Sequence, residues 1–383
     1  MQKKIIALAV AAAFSAPAFA DVTAYGVVDA TLARVSADKQ KSDMQVLSGG
    51  LSTSRFGVKT VEDLNNGMKA VVVLEYALDS VVNASVGADA DTLAGKGFKA
   101  RQQMLAVAGD FGTFATGYLQ TAGYDWAVKF DPTAGSAVSP LQNVTKGGKF
   151  LIGSAALGAR AQRALAYISP DMSGVTVAVN YSTALDGLGD LTVADTVPVQ
   201  SKSTAYLLSA TYTGVQNLTV GAVYANATLG TSSNALGTGA LAGETSTLSV
   251  TEMALGASYD LGVAKLFATY QKRGNGTNNV IGHDFSNKAL SFSAVAPVGP
   301  GAVVFTYAKN NMDTAGAASA NGKGMTVAWL QGLSKTTTMY AAYSKMSQDT
   351  AANSYSVLND ALAPAMAGGE ASNVLAVGLK KTF

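Results

Sequence analysis

The chain has no cysteine, a single histidine and little charge: 14% of its 383 residues are Asp, Glu, Lys or Arg, against about 25% in an ordinary soluble domain. Without cysteine there is no disulfide framework and no thiolate chemistry. The one histidine, His283, has no second imidazole for zinc. It lies in the polar stretch Gly274 to Asn287 beside Asp284, where a solvated role outweighs that of a catalytic base. No P-loop and no dinucleotide fingerprint occur, so neither enzyme activity nor a cofactor is expected. The near balance of 27 basic and 25 acidic side chains leaves no footprint for nucleic acid. Long apolar runs are missing too. The longest, Ile5 to Phe14, has 10 residues, whereas a spanning helix needs roughly 18. Yet 48% of the residues are hydrophobic, too many for a disordered chain. The apolar content is therefore spread in small doses.

What is present begins with an export signal. Lys3 and Lys4 precede the apolar run, and Pro17, Ala18, Phe19 and Ala20 form a small-x-small cleavage site. Residues 1–20 thus read as a signal peptide and residues 21–383 as one mature domain. Ten helical residues cover about 15 Å, half of a bilayer core, which disfavours an uncleaved anchor. Removing Lys3 and Lys4 leaves 25 basic against 25 acidic residues. The exported chain is formally neutral, and its stability must come from packing and hydrogen bonds.

The mature chain repeats one kind of segment. In Gly67 to Asp79, Met68, Ala70, Val72, Leu74, Tyr76 and Leu78 alternate with Lys69, Val71, Val73, Glu75 and Asp79. This period of two predicts a strand. Leu51 to Val61 and Thr251 to Tyr259 separate in the same way, each with an apolar face bearing Tyr or Phe and a face that is polar, charged or small. A soluble sandwich would share this alternation.

The connectors discriminate. About sixteen such segments follow Val22, roughly 23 residues apiece, and a membrane strand needs only about 9–11 of these. After every second strand comes a short turn: Glu62 to Asn66, Gly109 to Gly112, Pro170 to Gly174, Gly214 to Asn217, Asp260 to Val263, Pro297 to Gly301 and Gln331 to Lys335. The remaining connections are long and polar, as in Ser36 to Gly50, Thr121 to Ala159, Thr228 to Thr247 and Gln348 to Ala371. Short turns at one end and long loops at the other describe an all-β fold, a transmembrane antiparallel up-and-down β-barrel of about 16 strands. Closure also satisfies every backbone polar group inside lipid. Charge is then confined to lumen, turns and loops. Tyr76, Tyr118, Tyr167, Tyr181, Tyr212, Tyr224, Tyr259 and Tyr270 lie near strand ends, where an interfacial girdle would sit.

A barrel this wide leaves an aqueous channel. On its inner wall, Arg55, Arg101 and Arg160 stand seven to ten residues from the short-turn ends of the second, fourth and sixth strands. That spacing puts them at heights of roughly 16 to 23 Å on one wall. Arg163 is out of phase with Arg160. Alternation also turns Asp29, Lys59, Lys69 and Glu75 inward. Guanidinia in a narrow wet pore concentrate anions, which predicts passive diffusion of small hydrophilic solutes and ions with a mild anion preference. Alternatives are a substrate-selective channel and a barrel-anchored surface adhesin or receptor. Asp89 and Asp91 are a weak candidate for loop-bound Ca²⁺; no other metal site is expected.

Several stretches carry a family resemblance: VTAYGVVDA at Val22 to Ala30, STSRFGVKTVEDLNNGMKAVVVL at Ser52 to Leu74 and FGTFATG at Phe111 to Gly117. Further along come MALGASYDLGVAK at Met253 to Lys265, LSKTTTMY at Leu333 to Tyr340 and a final VGLKKTF ending at Phe383. The chain resembles the general porins of Gram-negative bacteria, the trimeric sixteen-stranded family in its beta-proteobacterial branch. The resemblance implies location in the outer membrane among its lipids, a homotrimer, and a third loop folded into the lumen. That loop would be Thr121 to Ala159, with Asp125, Lys129 and Asp131 as its charges. It also implies that Arg101 and Arg160 line the eyelet and that Phe383 is part of the address read by the barrel-assembly machinery. The chain departs from the family pattern at Tyr118, where an Arg is usual, and at Thr60, Val61, Asn65, Asn66 and Lys381. Tyr118 adjoins the third loop, so the constriction charge pattern is the part of the resemblance it touches.

Overall fold

The computed structural model describes residues 21–81, 99–154, 158–185, 204–229, 248–275, 285–314, 320–352, 355–358, 364 and 366–383. The signal-peptide segment, Asp89 and Asp91, and His283 with Asp284 lie outside the described residues.

Sixteen staves form one sheet. They are β1 (Asp21–Ala37), β2 in two pieces (Asp43–Ser48 and Arg55–Asp63), β3 (Lys69–Ala77), β4 (Ala100–Gly109), β5 (Gly112–Gln120), β6 (Arg160–Ile168) and β7 (Val175–Ser182, continued by Ala184–Leu185). Then come β8 (Thr204–Tyr212), β9 (Leu218–Leu229), β10 (Leu248–Asp260), β11 (Lys265–Asn275), β12 (Phe285–Val298), β13 (Gly301–Thr314), β14 (Gly322–Ser334), β15 (Thr337–Gln348) and β16 (Ala371–Thr382). Each pairs antiparallel with its neighbours, and β16 returns to β1 from Val27↔Thr382 to Ala37↔Ser372. The barrel is closed. Phe383 extends the seam, exchanging backbone hydrogen bonds with Gly26 at 3.0 and 3.1 Å.

All seven predicted short turns mark a reversal between paired staves, the last of them displaced, since β14 runs on to Ser334 and β15 begins at Thr337. The first predicted loop falls differently. β1 and β2 continue as a hairpin through Ala37 and from Asp43, and the chain instead breaks at residues 49–54, across the expected boundary between that loop and the strand Leu51 to Val61. Backbone beyond the lipid is under no demand for apolar side chains, so polar sequence there forms strand as readily as loop.

The outer wall is apolar and the inner wall small or polar. Leu105, Phe114 and Leu165 face outward at 54%, 57% and 58% exposure, while their neighbours Ala106 and Ala164 are buried at 2% and 0%. Some charge also stands on the outer wall, at its loop-side end, where none was expected: Lys272, Lys288, Lys323, Lys345 and Arg34 are exposed there.

The connection from β5 to β6 runs inside the barrel. It carries helix α1 (Ala122–Phe130), capped by the Thr121 hydroxyl, and helix α2 (Pro140–Gly147), capped by Ser139 with Pro140 in its first turn. Helix α1 packs on β7 to β11 and α2 on β12 to β15. Small inward residues make the room: a side chain at Gly221 or Gly256 would stand 2.5 Å from the Phe130 ring. Trp126, Phe130, Leu151 and Ile152 form one core with Ala205, Leu207, Val223 and Ala254. Val138, Leu141 and Val144 form another with Val304, Ala308, Ala328 and Met346. Part of the last long connection folds in as well. Tyr355, Val357 and Leu358 are buried in that second core, and the Tyr355 hydroxyl accepts from Asn310 at 2.6 Å.

Candidate pore constriction

The inner loop covers the wall from β7 to β15, and the arginines stand on the wall that remains. Glu75 on β3 is their hub. Its carboxylate lies 2.8 Å from Arg101 Nε and 3.4 Å from Arg55 Nε, and it accepts from the Tyr25 hydroxyl at 3.1 Å. Arg160 donates from Nε to the Arg101 carbonyl at 2.7 Å, and its guanidinium lies 4.8 Å from the centre of the Tyr124 ring. The three arginines therefore gather in one place, together with Glu75.

Strict alternation does not deliver this grouping. Arg101 shares its phase with the outward-facing Gln103 and Leu105. A β-bulge turns it: Glu75 pairs with Gln102 and Tyr76 with Ala100, so Arg101 is the extra residue on β4. A second bulge near Arg163 lets Ala164 pair with Gly117 and Ala161 with Leu119. Arg163 takes a left-handed φ of 49° there and is exposed, in step with the outward Leu165.

Facing the arginines, α1 presents Asp125, Val128 and Lys129, one helical stripe that stays exposed while Trp126, Ala127 and Phe130 are buried. Gln120 donates to Asp125, and Lys129 Nζ lies 3.3 Å from the Thr211 hydroxyl. Desolvation in the confined lumen pushes the Asp125 carboxyl above the ordinary carboxylate range, opposed by the Gln120 hydrogen bond and by the charges of Arg160 and Lys129. Lys59 is exposed on the same inward face as Arg55, nearer the short turns.

Three residues expected to face the channel do not line it at this level. Asp29 points inward but is fully buried. It accepts from the Leu51 and Ser52 amides at 2.9 and 2.7 Å and from the Tyr340 hydroxyl at 2.5 Å, holding the break in β2 in place. Asp131 is 2% exposed and accepts from the Thr133 amide and hydroxyl and from Ser139; burial raises its carboxyl above the ordinary range against those bonds. Lys69 is at the turn end of β3, 2.8 Å from Asp63, both exposed. A carboxylate with several backbone or hydroxyl donors in reach becomes a brace, because satisfying it outweighs leaving it in open water.

Sequence reasoning missed the anchor of the inner loop. Glu252 on β10 is 1% exposed and accepts from the Leu151 amide at 2.8 and 2.9 Å and the Ile152 amide at 2.9 Å, with Arg273 of β11 3.4 Å away. Gln271 and Asn287 donate to the Ile152 and Gly148 carbonyls. The signal was an inward Glu on an otherwise small-residue face; its partner 101 residues earlier was not visible.

A closed barrel with an apolar exterior, an inward-folded loop and a guanidinium cluster at the narrowed level defines a water-filled channel of an outer membrane. The chain belongs to the Gram-negative porin family, which matches residues 7–351. It is 27% identical to the outer membrane porin protein 32 of Delftia acidovorans over 388 residues, spanning all of both chains. Among solved structures it is similar to the anion-selective porin from Comamonas acidovorans, with a TM-score of 0.73 at 24% identity over 95% of this chain and 100% of that one. The outer-membrane-expressed OmpT of Vibrio cholerae gives 0.65 at 17% identity, covering 96% and 99%. The protein is an outer-membrane porin, a channel for passive diffusion of small hydrophilic solutes and ions.

Proposed function

We propose that this porin passes anions in preference to cations, and that Arg55, Arg101, Arg160 and Lys129 set the preference. The observation that carries the reading is the charge at the narrowed level: four cations against two carboxylates, Glu75 and Asp125, with Glu75 shared by two arginines. The other inward acids nearby, Asp29, Asp131 and Glu252, are spent on bracing. Lys59 extends the basic wall toward the short-turn mouth, and Lys69 sits at its rim. The similar Comamonas acidovorans protein is itself named an anion-selective porin. Reversal potentials across a planar bilayer under a KCl gradient test this. An anion-selective sign is expected, and a cation-selective sign in the native channel would refute it.

Assembly follows the same reading. Residues 1–20 serve as the export leader, and Phe383 with the final strand serves the barrel-assembly machinery. The family resemblance supports association of three copies. Light scattering of the refolded protein gives a trimer on this reading and a monomer against it. No metal or cofactor takes part in conduction.

A further inference from the structure

The inner wall departs from its small or polar character in one place. On the short-turn side of Arg55 and Glu75, the inward positions are Lys59 and Val61 on β2, Val73 and Val71 on β3, and Met104 and Ala106 on β4. Strand pairing sets them side by side in two rows, Lys59, Val73 and Met104 in one and Val61, Val71 and Ala106 in the next. The three valines share the inward phase of Arg55 and Glu75, so contact with lipid does not account for them. Neither inner core includes them, so they take no part in holding the inner loop. Met104 leans on the core that α1 forms with the wall, and its sulfur accepts from the Gln102 amide at 3.6 Å.

Helix α1 brings a further apolar side chain to the same water. Val128 is 52% exposed between Asp125 and Lys129, and Asp125 lies within electrostatic reach of Arg160. The core takes Trp126, Ala127 and Phe130 from this helix but not Val128. The passage beside the guanidinium cluster therefore has apolar surface on the β2 to β4 wall and again on α1, with Arg55, Arg101, Lys59 and Lys129 around it. Mostly apolar lining with a few charges is the composition of a site for a small organic ligand.

We infer that the constriction is an amphipathic site for organic monoanions with a hydrocarbon body, aliphatic monocarboxylates foremost. The carboxylate meets Arg55, Arg101 or Lys59 while the chain lies against Val73, Val71, Met104 and Val128. This rests on the anion preference proposed above and adds the part of the solute that charge does not read. Val71 is four residues from Glu75, about 13 Å along β3, room for a chain of roughly six to eight carbons. A methylene fully removed from water strengthens binding roughly fourfold, and one covered on a single side about twofold.

The test places the refolded barrel in a planar bilayer in KCl. Acetate, butanoate or hexanoate, each fully ionised, is added at constant ionic strength, and the concentration that halves the single-channel current is read. That concentration should fall about twofold per added methylene, roughly fifteenfold from acetate to hexanoate. The length-matched 6-hydroxyhexanoate, with a polar end, should need about fourfold more than hexanoate; equal values would mean block by bulk and overturn the site. Val128→Ser should reduce the ratio between acetate and hexanoate about threefold, and Val128→Leu should keep it. Val73→Thr, which conserves shape, should act like Val128→Ser. An unchanged ratio in both polar variants overturns the site. Arg101→Gln should weaken acetate and hexanoate by the same factor and leave the ratio standing. A flat series in an anion-selective channel overturns the apolar site alone, whereas a cation-selective reversal potential overturns the anion reading and this site with it.

Discussion

At the scale of single residues, the protein sorts its charges by who can reach them. Carboxylates surrounded by amide and hydroxyl donors, as at Asp29 and Asp131, become internal braces, while the Arg55 and Arg101 guanidinia, which outnumber their acid partner, keep part of their surface at the water and Arg160 lies buried beside them. Glu75 is the pivot between these two fates. A unit charge about 8 Å from the axis of a water-filled pore contributes about 0.5 kcal/mol, with opposite sign for anion and cation, or roughly fivefold in their permeability ratio. Arg101→Gln should therefore lower the anion preference about fivefold and Glu75→Gln should raise it by a similar factor, both read from reversal potentials. Asp125 adds a pH dependence. Its carboxyl is raised, so as pH falls through that value it becomes neutral, one negative charge leaves the constriction and anion preference increases. Asp125→Asn should show the higher preference throughout and flatten this step in the pH profile. The identities of Arg55, Arg101, Arg160, Glu75 and Asp125 were legible in the sequence. Their partners Tyr25, Tyr124 and Gln120 were not, because each bond joins residues on different elements whose register the sequence leaves open.

At the scale of elements, two departures from regularity make the site. The bulge at Arg101 reverses a side chain that alternation sends toward lipid, and the inner loop is held by a wall carboxylate in addition to the packing of its helices. Period-two reading could not foresee either, since one inserted residue inverts the phase of everything beyond it. Removing the Glu252 charge tests the anchor. Glu252→Gln leaves Arg273 buried without its anion and weakens the hold on Leu151 and Ile152, a loss of about 3–5 kcal/mol by analogy with broken buried pairs. Single-channel recordings should show larger and noisier conductance steps as the loop leaves the wall. The double change Glu252→Met with Arg273→Leu removes both charges and should be less noisy than Glu252→Gln alone. Gly256→Leu displaces Phe130 directly and should give the same enlarged steps with the anchor intact.

At the scale of the whole molecule, closure is the decisive event. The seam pairs β1 with β16, and the Phe383 ring lies over Gly26, leaving no space for a side chain there. Gly26→Leu should displace the ring and lower the temperature at which the refolded barrel loses its compact, heat-modifiable band on a gel. The alternation, the seven short turns, the even stave count and the inward third loop were all readable in advance, the last through the family resemblance. They follow from local chemistry: period two marks strands, and Gly, Pro, Asn and Asp mark turns. What the sequence by itself determined is a sixteen-stave barrel with an apolar outside and with arginines toward one level of its wall. Only the tertiary structure decided which charges face the water and which are consumed inside. That choice depends on register, bulges and the path of the inner loop, which set the distances between residues far apart in the chain, and electrostatic partnership depends on distance rather than on order in sequence.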